Sequence, residues 1–339
     1  MISHNSPSYT EKVVAEGYKQ LEMGNFSRRH VSYKAEVAFA KFTNSLHARL
    51  VSSGFAAIQA ALIAVGVQKG DEVTIPNITC PSVYHAILSI GAIPHVVDVS
   101  EKVPLIDTKV LKMWNVKKFC LIPNMFGIKA EIDSLEFENI IFIEDNAQCL
   151  SPNRSEWAKI SIYSFSPTKI LTIGYGGAVV SDNENLMKRV ALFLDCDYHL
   201  SQTEESNSLP FRIHADISDF QAAMLMGQLE RYESIISYRN NLSKLYDENL
   251  SFSRINSDVP FRYLLKLQQS NAFECAELLQ SKFISSVPLS SHLLSDIFDL
   301  PDEYPNSYFW KNSVLSLPLH EGIEDTDLKY ICKVINQCF

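Results

Sequence analysis

The chain has 339 residues, a length that predicts about two domains. Hydrophobic residues make up 46% and charged residues 20%, proportions that are typical of a globular protein and exclude a mainly disordered or fibrous chain. The formal net charge of −9 repels phosphate backbones and anionic lipid surfaces, so we expect neither a nucleic acid nor a membrane as partner.

The start of the chain and its cysteines indicate the compartment. The first residues lack a basic stretch followed by an apolar run, and no uninterrupted apolar segment long enough to span a bilayer follows. We therefore expect a cytoplasmic protein.

The seven cysteines are scattered without C-x-x-C or zinc-finger spacing. They are therefore predicted to be mostly reduced core residues, and no metal site is expected.

The hydrophobic pattern alternates between strand-like and helical segments over residues 46–182. The predicted strands are 47–51, 72–75, 95–99, 119–122, 140–144, 160–165 and 178–181. The predicted helices are 55–65 and 81–90 within this region and 184–194 directly after it. This alternation predicts an α/β domain with a mostly parallel sheet covered by helices.

The rest of the chain predicts a loop, a linking helix and a smaller domain. Residues 197–218 are polar and read as a long surface loop, after which apolar residues recur at helical spacing over about 219–248. The last part predicts a strand at 262–267, a helix at 272–283, a strand at 314–318 and a helix at 326–336. We therefore predict a large domain at 1–248, which includes the linking helix, and a small C-terminal α+β domain at 249–339.

Two strand ends carry residues suited to a ligand. Ser53-Gly54-Phe55 forms a strand-to-helix turn whose free backbone N–H groups suit a phosphate, although an ordinary helix start has the same pattern. Glu144 and Asp145 end an apolar strand, and ligands of open α/β sheets bind at that edge. An Asp at this position could also cap a helix or bind magnesium, so each feature alone is weak.

The segment from Ser164 to Lys169 is more specific. It precedes the glycine-rich stretch Gly174-Tyr175-Gly176-Gly177 and the next strand. A lysine held in such a crowded, partly desolvated turn has a lowered pKa and a nucleophilic amine, whereas the alternative is a surface lysine after a turn. Together with the phosphate-binding turn and Asp145, it predicts a site for pyridoxal 5'-phosphate, with Asp145 against the pyridine nitrogen and Lys169 forming the Schiff base.

The order of these motifs resembles the DegT/DnrJ/StrS sugar aminotransferases. The motifs that carry the resemblance run along most of the chain and are Ser53-Gly54, Gly70-Asp71-Glu72-Val73, Phe126-Gly127, Glu144-Asp145 with Ala147-Gln148, Thr168-Lys169, Gly176-Gly177, Gln221-Ala222-Ala223 and Leu317-Pro318-Leu319. The resemblance implies the three-layer fold of PLP-dependent transferases (fold type I), and a homodimer with shared active sites.

The resemblance also implies roles for individual residues. It makes Lys169 and Asp145 catalytic, and it places Gln148 near the cofactor ring and Ser164 and the amides of Gly54 and Phe55 at the phosphate. In this family an Asn of the neighbouring subunit reaches the phosphate, and His214 stands at that position here, the alternative being a loop histidine without a ligand. The predicted substrate contacts are Tyr175 and the pair Arg28 and Arg29, for which the alternative is a solvated basic turn.

Four positions depart from the family's pattern. Phe55 replaces a phosphate-binding Thr, and Cys80 stands where an aromatic ring often stacks on the cofactor. Tyr175 replaces an acidic residue in the glycine-rich stretch, and Asp216 replaces an Arg near His214. The first two departures predict weaker binding of the cofactor, Tyr175 predicts a reshaped substrate side of the pocket, and Asp216 predicts an altered loop.

The resemblance implies an activity and leaves two alternatives. The expected reaction is transfer of an amino group, from glutamate, to a keto-sugar carried by a nucleotide, in the synthesis of polysaccharides or amino sugars. One alternative is other PLP chemistry, either dehydration or amination of another ketone. The retained Lys169 argues against the dehydratases of this family, in which a His replaces it. The second alternative is a ligand-binding relative without turnover.

Overall fold

The computed structural model of the chain describes residues 1–26, 29–197, 209–268, 270–301 and 303–338. Within this part, a seven-stranded sheet has the strand order β1-β7-β6-β5-β4-β2-β3. Its strands are β1 (His47–Val51), β2 (Glu72–Pro76), β3 (Ile93–Val97), β4 (Phe119–Pro123), β5 (Ile141–Asp145), β6 (Ile160–Ser164) and β7 (Gly177–Ser181).

The large sheet is mostly parallel and buried on both faces. Strands β3, β2, β4, β5 and β6 pair in parallel, whereas β7 is antiparallel to both β6 and β1. All five residues of β4 and all five of β7 are buried, which explains why these strands appear in the sequence as continuous apolar runs.

Helices cover both faces of the large sheet. They are α1 (Glu11–Glu22), α2 (His30–Phe42), α3 (Gly54–Ala64), α4 (Pro81–Ser89), α5 (Thr108–Met113), α6 (Glu184–Leu194) and α7 (Asp219–Asn249). Helix α3 packs against α4 and α6 and is apolar around most of its circumference, because the sheet lies on one side of it and these helices on others. Helix α7 packs against α1 and α2 in the opposite layer. The predicted three-layer α/β architecture is therefore present.

The C-terminal part forms a second, antiparallel sheet in the order β10-β11-β9-β8. Its strands are β8 (Arg254–Ile255), β9 (Tyr263–Lys266), β10 (Val287–Pro288) and β11 (Val314–Leu317), and its helices are α8 (Ala272–Ser281), α9 (Leu294–Ile297), α10 (Pro305–Ser313) and α11 (Asp325–Cys338). An apolar cluster joins this sheet to Leu242 and Tyr246 in the last turns of α7. The predicted domain boundary at residues 248 and 249 stays a prediction.

The structure differs from the sequence prediction at β3 and near the start of the chain. The strand predicted at 95–99 is found at Ile93–Val97, on the edge of the sheet, where Pro94 is tolerated. Asp98 leaves the sheet and accepts hydrogen bonds from the backbone N–H groups of Asn306 and Ser307 in α10. Helices α1 and α2 were not predicted.

In the described part of the chain, we find no helix with the length and apolar character needed to cross a membrane.

Candidate active site

The ends of four strands meet at one edge of the large sheet. Asp145 at the end of β5 lies opposite Pro123 of β4 and Ile162 of β6. Gly177 at the start of β7 lies opposite both Ser164 at the end of β6 and Val51 at the end of β1. The three turns singled out in the sequence therefore lie next to one another.

These turns enclose a cavity of about 300 Å³. It is lined by eight of the predicted site residues, namely Gly54, Phe55, Cys80, Asp145, Gln148, Ser164, Lys169 and Tyr175. Further lining residues are Ser53 and Ser166, which belong to the predicted turns, and four that the sequence did not single out, Thr79, Ser82, Asn124 and Met125. The structure thus brings together, in one cavity, most of the residues that the sequence predicted.

The start of α3 makes one wall of the cavity. Ser53 has extended backbone and caps the helix, because its hydroxyl accepts a hydrogen bond from the backbone N–H of Ala56 at 3.1 Å. A Cβ on Gly54 would lie 2.9 Å from Cβ of Ser164, and a Cβ on Gly177 would lie 2.6 Å from the carbonyl oxygen of Ser53. Glycine at both positions lets the helix N-terminus, which attracts anions, lie directly against the Ser164 hydroxyl.

Asp145 is 6% exposed and forms the floor of the cavity. Its Oδ1 accepts a hydrogen bond from the backbone N–H of Ala147 at 2.8 Å. Burial raises the pKa of this carboxyl to about 6, against lowering effects of the Ala147 hydrogen bond and the Lys169 charge. A cationic N–H placed in the cavity would stabilise the ionised form, so Asp145 suits a protonated ring nitrogen.

The adjacent Glu144 has a different environment. It is fully buried, and its carboxylate accepts hydrogen bonds from Nδ2 of Asn124 at 2.9 Å and from the hydroxyls of Ser155 and Ser161, each at 2.6 Å. Asn124 also donates its backbone N–H to the carbonyl of Asp145 at 2.8 Å. Since successive strand residues point to opposite faces, only one of the two carboxylates lines the cavity, while Glu144 fixes the strand ends behind it.

Lys169 lies in the loop between β6 and β7. The loop is closed by a hydrogen bond from the backbone N–H of Phe165 to the carbonyl of Gly176 at 2.9 Å, and Lys169 donates its backbone N–H to Ser166 at 3.0 Å. Burial lowers the pKa of the Lys169 amine, whereas the charge of Asp145 raises it. The loop therefore presents an amine whose neutral, nucleophilic form is favoured by its surroundings.

The far end of the same loop is held by a helix of the opposite layer. Gly174 and Gly176 have positive φ angles of 84° and 155°, which L side chains rarely adopt. Between them, the carbonyl of Tyr175 accepts a hydrogen bond from Nε2 of Gln221 at 2.7 Å, while its side chain is 68% exposed at the rim of the cavity. Tyr175 is therefore placed to contact a substrate entering the cavity.

Three further side chains surround the space above Asp145. Gln148 accepts a hydrogen bond from the backbone N–H of Phe126 at 3.1 Å. Cys80 is exposed, precedes α4, and its Sγ accepts a hydrogen bond from the Ser82 hydroxyl at 3.0 Å. The Thr79 hydroxyl is buried and has no hydrogen-bond partner among the described residues. A buried, unpartnered hydroxyl lining a cavity indicates a polar ligand there.

The remaining predicted residues lie elsewhere or outside the described residues. His214 and Arg29 border a second cavity of about 390 Å³, and neither lines the cavity that contains Lys169. In this second cavity Asp216 accepts a hydrogen bond from Nη2 of Arg49 at 2.7 Å, so the acidic residue at this position has a buried arginine as its partner. Arg28 lies outside the described residues.

The arrangement of the first cavity fits pyridoxal phosphate. The start of α3 with Ser164 supplies donors for a phosphate, Asp145 supplies a buried anion for a protonated ring nitrogen, and Lys169 supplies an amine. The unpartnered Thr79 hydroxyl gives a further polar contact inside the cavity.

Comparison with known proteins gives consistent results. The chain is 24% identical over 336 residues to the GDP-perosamine synthase of Escherichia coli O157:H7, covering 92% of this chain and 91% of the relative. Its fold superposes on Spr1654 from Streptococcus pneumoniae in its PLP form, with a TM-score of 0.86, 20% identity and coverage of 99% and 98% of the two chains. It also superposes on Helicobacter pylori PseC, an aminotransferase involved in the biosynthesis of pseudoaminic acid, with a TM-score of 0.87, 17% identity and coverage of 99% and 98%.

The sequence model of the DegT/DnrJ/EryC1/StrS aminotransferase family matches residues 9–336. The predicted resemblance, the predicted fold class, the aminotransferase activity and the predicted cofactor are confirmed. Because the match covers nearly the whole chain, the protein belongs to the DegT/DnrJ/EryC1/StrS aminotransferase family.

Proposed function

We propose that this PLP-dependent aminotransferase moves an amino group from glutamate to a keto-sugar carried by a nucleotide, in polysaccharide or amino-sugar biosynthesis. The observation that carries the proposal is the meeting of Lys169 and Asp145 in one cavity of about 300 Å³, beside the start of α3. The similarity to a GDP-perosamine synthase supports a nucleotide sugar as the acceptor. The predicted cytoplasmic location stays a prediction.

The proposed catalytic roles follow from the surroundings of the two residues. Pyridoxal phosphate, when bound, supplies an electron-withdrawing ring that makes the α-hydrogen of an amino acid acidic. Asp145 holds the proton on the ring nitrogen, because it is a buried anion with one N–H donor, Ala147, as hydrogen-bond partner. Lys169 would hold the cofactor and, as an amine with a lowered pKa, would take up the proton released from the α-carbon of the amino acid.

Other residues of the cavity bind and orient the cofactor. Gly54, Phe55 and Ser164, which line the cavity, would hold its phosphate, and Phe55 would do so only through its backbone amide. Gln148 and Cys80, which line the same cavity, would flank the ring, and Cys80 would offer it less stacking area than an aromatic side chain. Tyr175, at the rim, contacts the substrate.

We further propose that the working unit is a homodimer with shared active sites. His214 is exposed and lies outside the cavity that holds Lys169 of its own chain, so a role at the phosphate requires the cavity of a second chain. A two-fold dimer would give each site one such histidine. Light scattering of the active enzyme tests this, and an active monomer would contradict it.

The activity itself is tested with purified holoenzyme. Adding glutamate should abolish the absorption of the aldehyde form of the cofactor, and adding a keto-sugar nucleotide should then restore it and yield an aminated sugar detected by mass spectrometry. A spectrum that no amino donor changes would favour a ligand-binding relative. Reaction with glutamate followed only by amination of a simple keto acid would contradict the sugar acceptor.

A further inference from the structure

The backbone on both sides of His214 is held against the rest of the chain. On one side, the backbone N–H of Ile213 donates to the carbonyl of Phe193 at 2.9 Å. On the other side, the carbonyl of Ala215 accepts the backbone N–H of Ser52 at 2.8 Å. Ala215 is buried, whereas His214 is exposed. The imidazole is therefore offered on the outside of the chain, at a position that its backbone defines.

The side chain of Asp216 anchors the same segment to the large sheet. Its Oδ1 accepts a hydrogen bond from Nη2 of Arg49 at 2.7 Å, the length of a charge-assisted hydrogen bond. Arg49 lies in the middle of β1, opposite Val179 of β7, and is 8% exposed, so water and salt screen this pair little. The ion pair therefore ties the residue two positions after His214 to a buried strand.

The guanidinium of Arg49 has a second acidic neighbour, which lies farther away. Its Nε is 3.7 Å from Oε1 of Glu36 in α2, too far for a hydrogen bond, and this Nε has no hydrogen-bond partner among the described residues. Oε1 of Glu36 instead accepts the backbone N–H of Leu50 at 3.2 Å. Within the described part of the chain, Asp216 is thus the side chain that holds this guanidinium by a hydrogen bond.

The anchored segment also touches the turn that leads to the cofactor cavity. Ser52 directly precedes Ser53 and Gly54, which line the cavity that contains Lys169. His214 does not line that cavity and borders the second one. An effect of the ion pair on cofactor binding therefore has two possible routes. One runs through Ser53 of the same chain, and the other through the imidazole at the cavity of a second chain.

We infer that Arg49, through Asp216, positions His214 for the phosphate of a cofactor bound in a second copy of the chain. The inference deepens the proposed function and rests on the homodimer proposed there. Arg49 and Asp216 are positioning residues, because neither lines the cavity of Lys169. An imidazole donates an N–H to a phosphate oxygen only within hydrogen-bond distance, so a segment released from β1 makes that contact less often.

The first test compares cofactor binding by Asp216→Ala, Asp216→Asn and the control Asp247→Ala. Asp247 is the matched control, because its carboxylate pairs with Arg254 at 3.1 Å and its side chain is 40% exposed, against 34% for Asp216. The cofactor concentration that half-saturates the apoprotein, measured by fluorescence, should rise about tenfold in Asp216→Ala. It should rise less in Asp216→Asn, which keeps an acceptor oxygen, and should not change in Asp247→Ala.

A positioning role also predicts that the losses do not add. His214→Ala should weaken cofactor binding at least as much as Asp216→Ala, and the double variant should match His214→Ala. Additive losses would overturn the inference, since Asp216 would then act without the imidazole. Unchanged cofactor binding in Asp216→Ala would overturn it as well.

Heterodimers decide whether the ion pair acts on its own chain or on the partner chain. Chains that carry Lys169→Ala and Asp216→Ala are coexpressed with different affinity tags and purified through both tags. In this heterodimer, the one cavity that keeps Lys169 receives His214 from the chain with an intact Asp216. Borohydride trapping should therefore show wild-type affinity of the cofactor for Lys169, and turnover per dimer should be about half that of the wild type. An affinity as low as in the Asp216→Ala homodimer would overturn the inference and assign the ion pair to the Ser53 turn of its own chain.

Light scattering distinguishes failure of the inference from failure of the proposed homodimer. A wild-type holoenzyme that is an active monomer would contradict the homodimer itself. A dimeric wild type with a monomeric Asp216→Ala would overturn only the inference, because the ion pair would then hold the chains together and not position His214. The binding measurements need no keto-sugar, so their result does not depend on which acceptor the enzyme uses.

Discussion

Replacing Asp145 by asparagine should stabilise the cofactor-free protein and abolish most of its activity. Burial raises the pKa of this carboxyl from 3.8 to about 6, so the folded protein binds the proton more tightly than the unfolded chain does. Stability therefore falls as pH rises from about 4 to about 6, because the unfolded chain releases this proton first. Above pH 6, burial of the ionised carboxylate lowers the free energy of unfolding by about 3 kcal/mol. Asparagine carries no charge, so Asp145→Asn does not have this loss.

The effect is measurable by thermal unfolding of the apoprotein. At pH 7, Asp145→Asn should unfold up to about 4 °C higher than the wild type for a chain of this size, and the difference should shrink toward zero near pH 4. Asp107→Asn is the control, since Asp107 also accepts a backbone N–H, from Val110 at 2.8 Å, but is only partly buried. The holoenzyme of Asp145→Asn should turn over about a hundredfold more slowly or worse.

Two results would refute this reasoning. If the Asp145→Asn apoprotein unfolds at the same temperature as the wild type at pH 7, burial of the charge is not costly. If the difference persists unchanged at about pH 4, its origin is not the ionisation of Asp145. Near-normal turnover would separately contradict the assignment of this carboxylate to the ring nitrogen.

Substitutions at Lys169, Glu144 and Gly54 test other parts of the site. Lys169→Ala and Lys169→Arg should bind the cofactor without a covalent link and show no transamination, so substantial turnover in a coupled assay by either would contradict its role. Glu144→Gln should lower the free energy of unfolding, measured by urea titration, by about 1–3 kcal/mol, because its NH₂ group would face the donors of Asn124, Ser155 and Ser161. An unchanged urea midpoint would show that this hydrogen-bond network behind Asp145 is dispensable. Gly54→Ala should weaken cofactor binding about tenfold or more in fluorescence titration, because its Cβ would lie 2.9 Å from Cβ of Ser164. No effect of Gly54→Ala would argue against a phosphate at the start of α3.

The sequence predicts the site well where the residues lie at strand ends. Asp145, Ser164 and Gly54 follow or precede apolar strands, and parallel strands bring their carboxyl ends to one edge, so these residues could be grouped without coordinates. The hydrophobic pattern alone does not distinguish Glu144 from Asp145. Which of them lines the cavity depends on the face of β5 that each side chain occupies, and a strand buried on both faces shows no alternation of polar and apolar residues.

Residues brought to the site by packing between distant segments were not predicted. The ring centroid of Phe261 lies 5.9 Å from Nζ of Lys169, and its backbone is held there by a hydrogen bond from Arg239 and by the contact of Val259 with Gly127. Thr79 is a single hydroxyl in a loop, and nothing local distinguishes it from other threonines. The sequence did contain a signal for helix α1, namely a threonine directly before its first residue. The Thr10 side chain accepts a hydrogen bond from the backbone N–H of Val13 and so caps the helix.

The most direct test of the central proposal is to find which amine carries the cofactor. Holoenzyme is reduced with borohydride, digested and analysed by peptide mass spectrometry, with the Lys169→Ala variant as control. We expect a pyridoxyl group on Nζ of Lys169 in the wild type and no modified peptide in the variant. A pyridoxyl group on another lysine, or none on any lysine of a yellow, active enzyme, would contradict the proposed site.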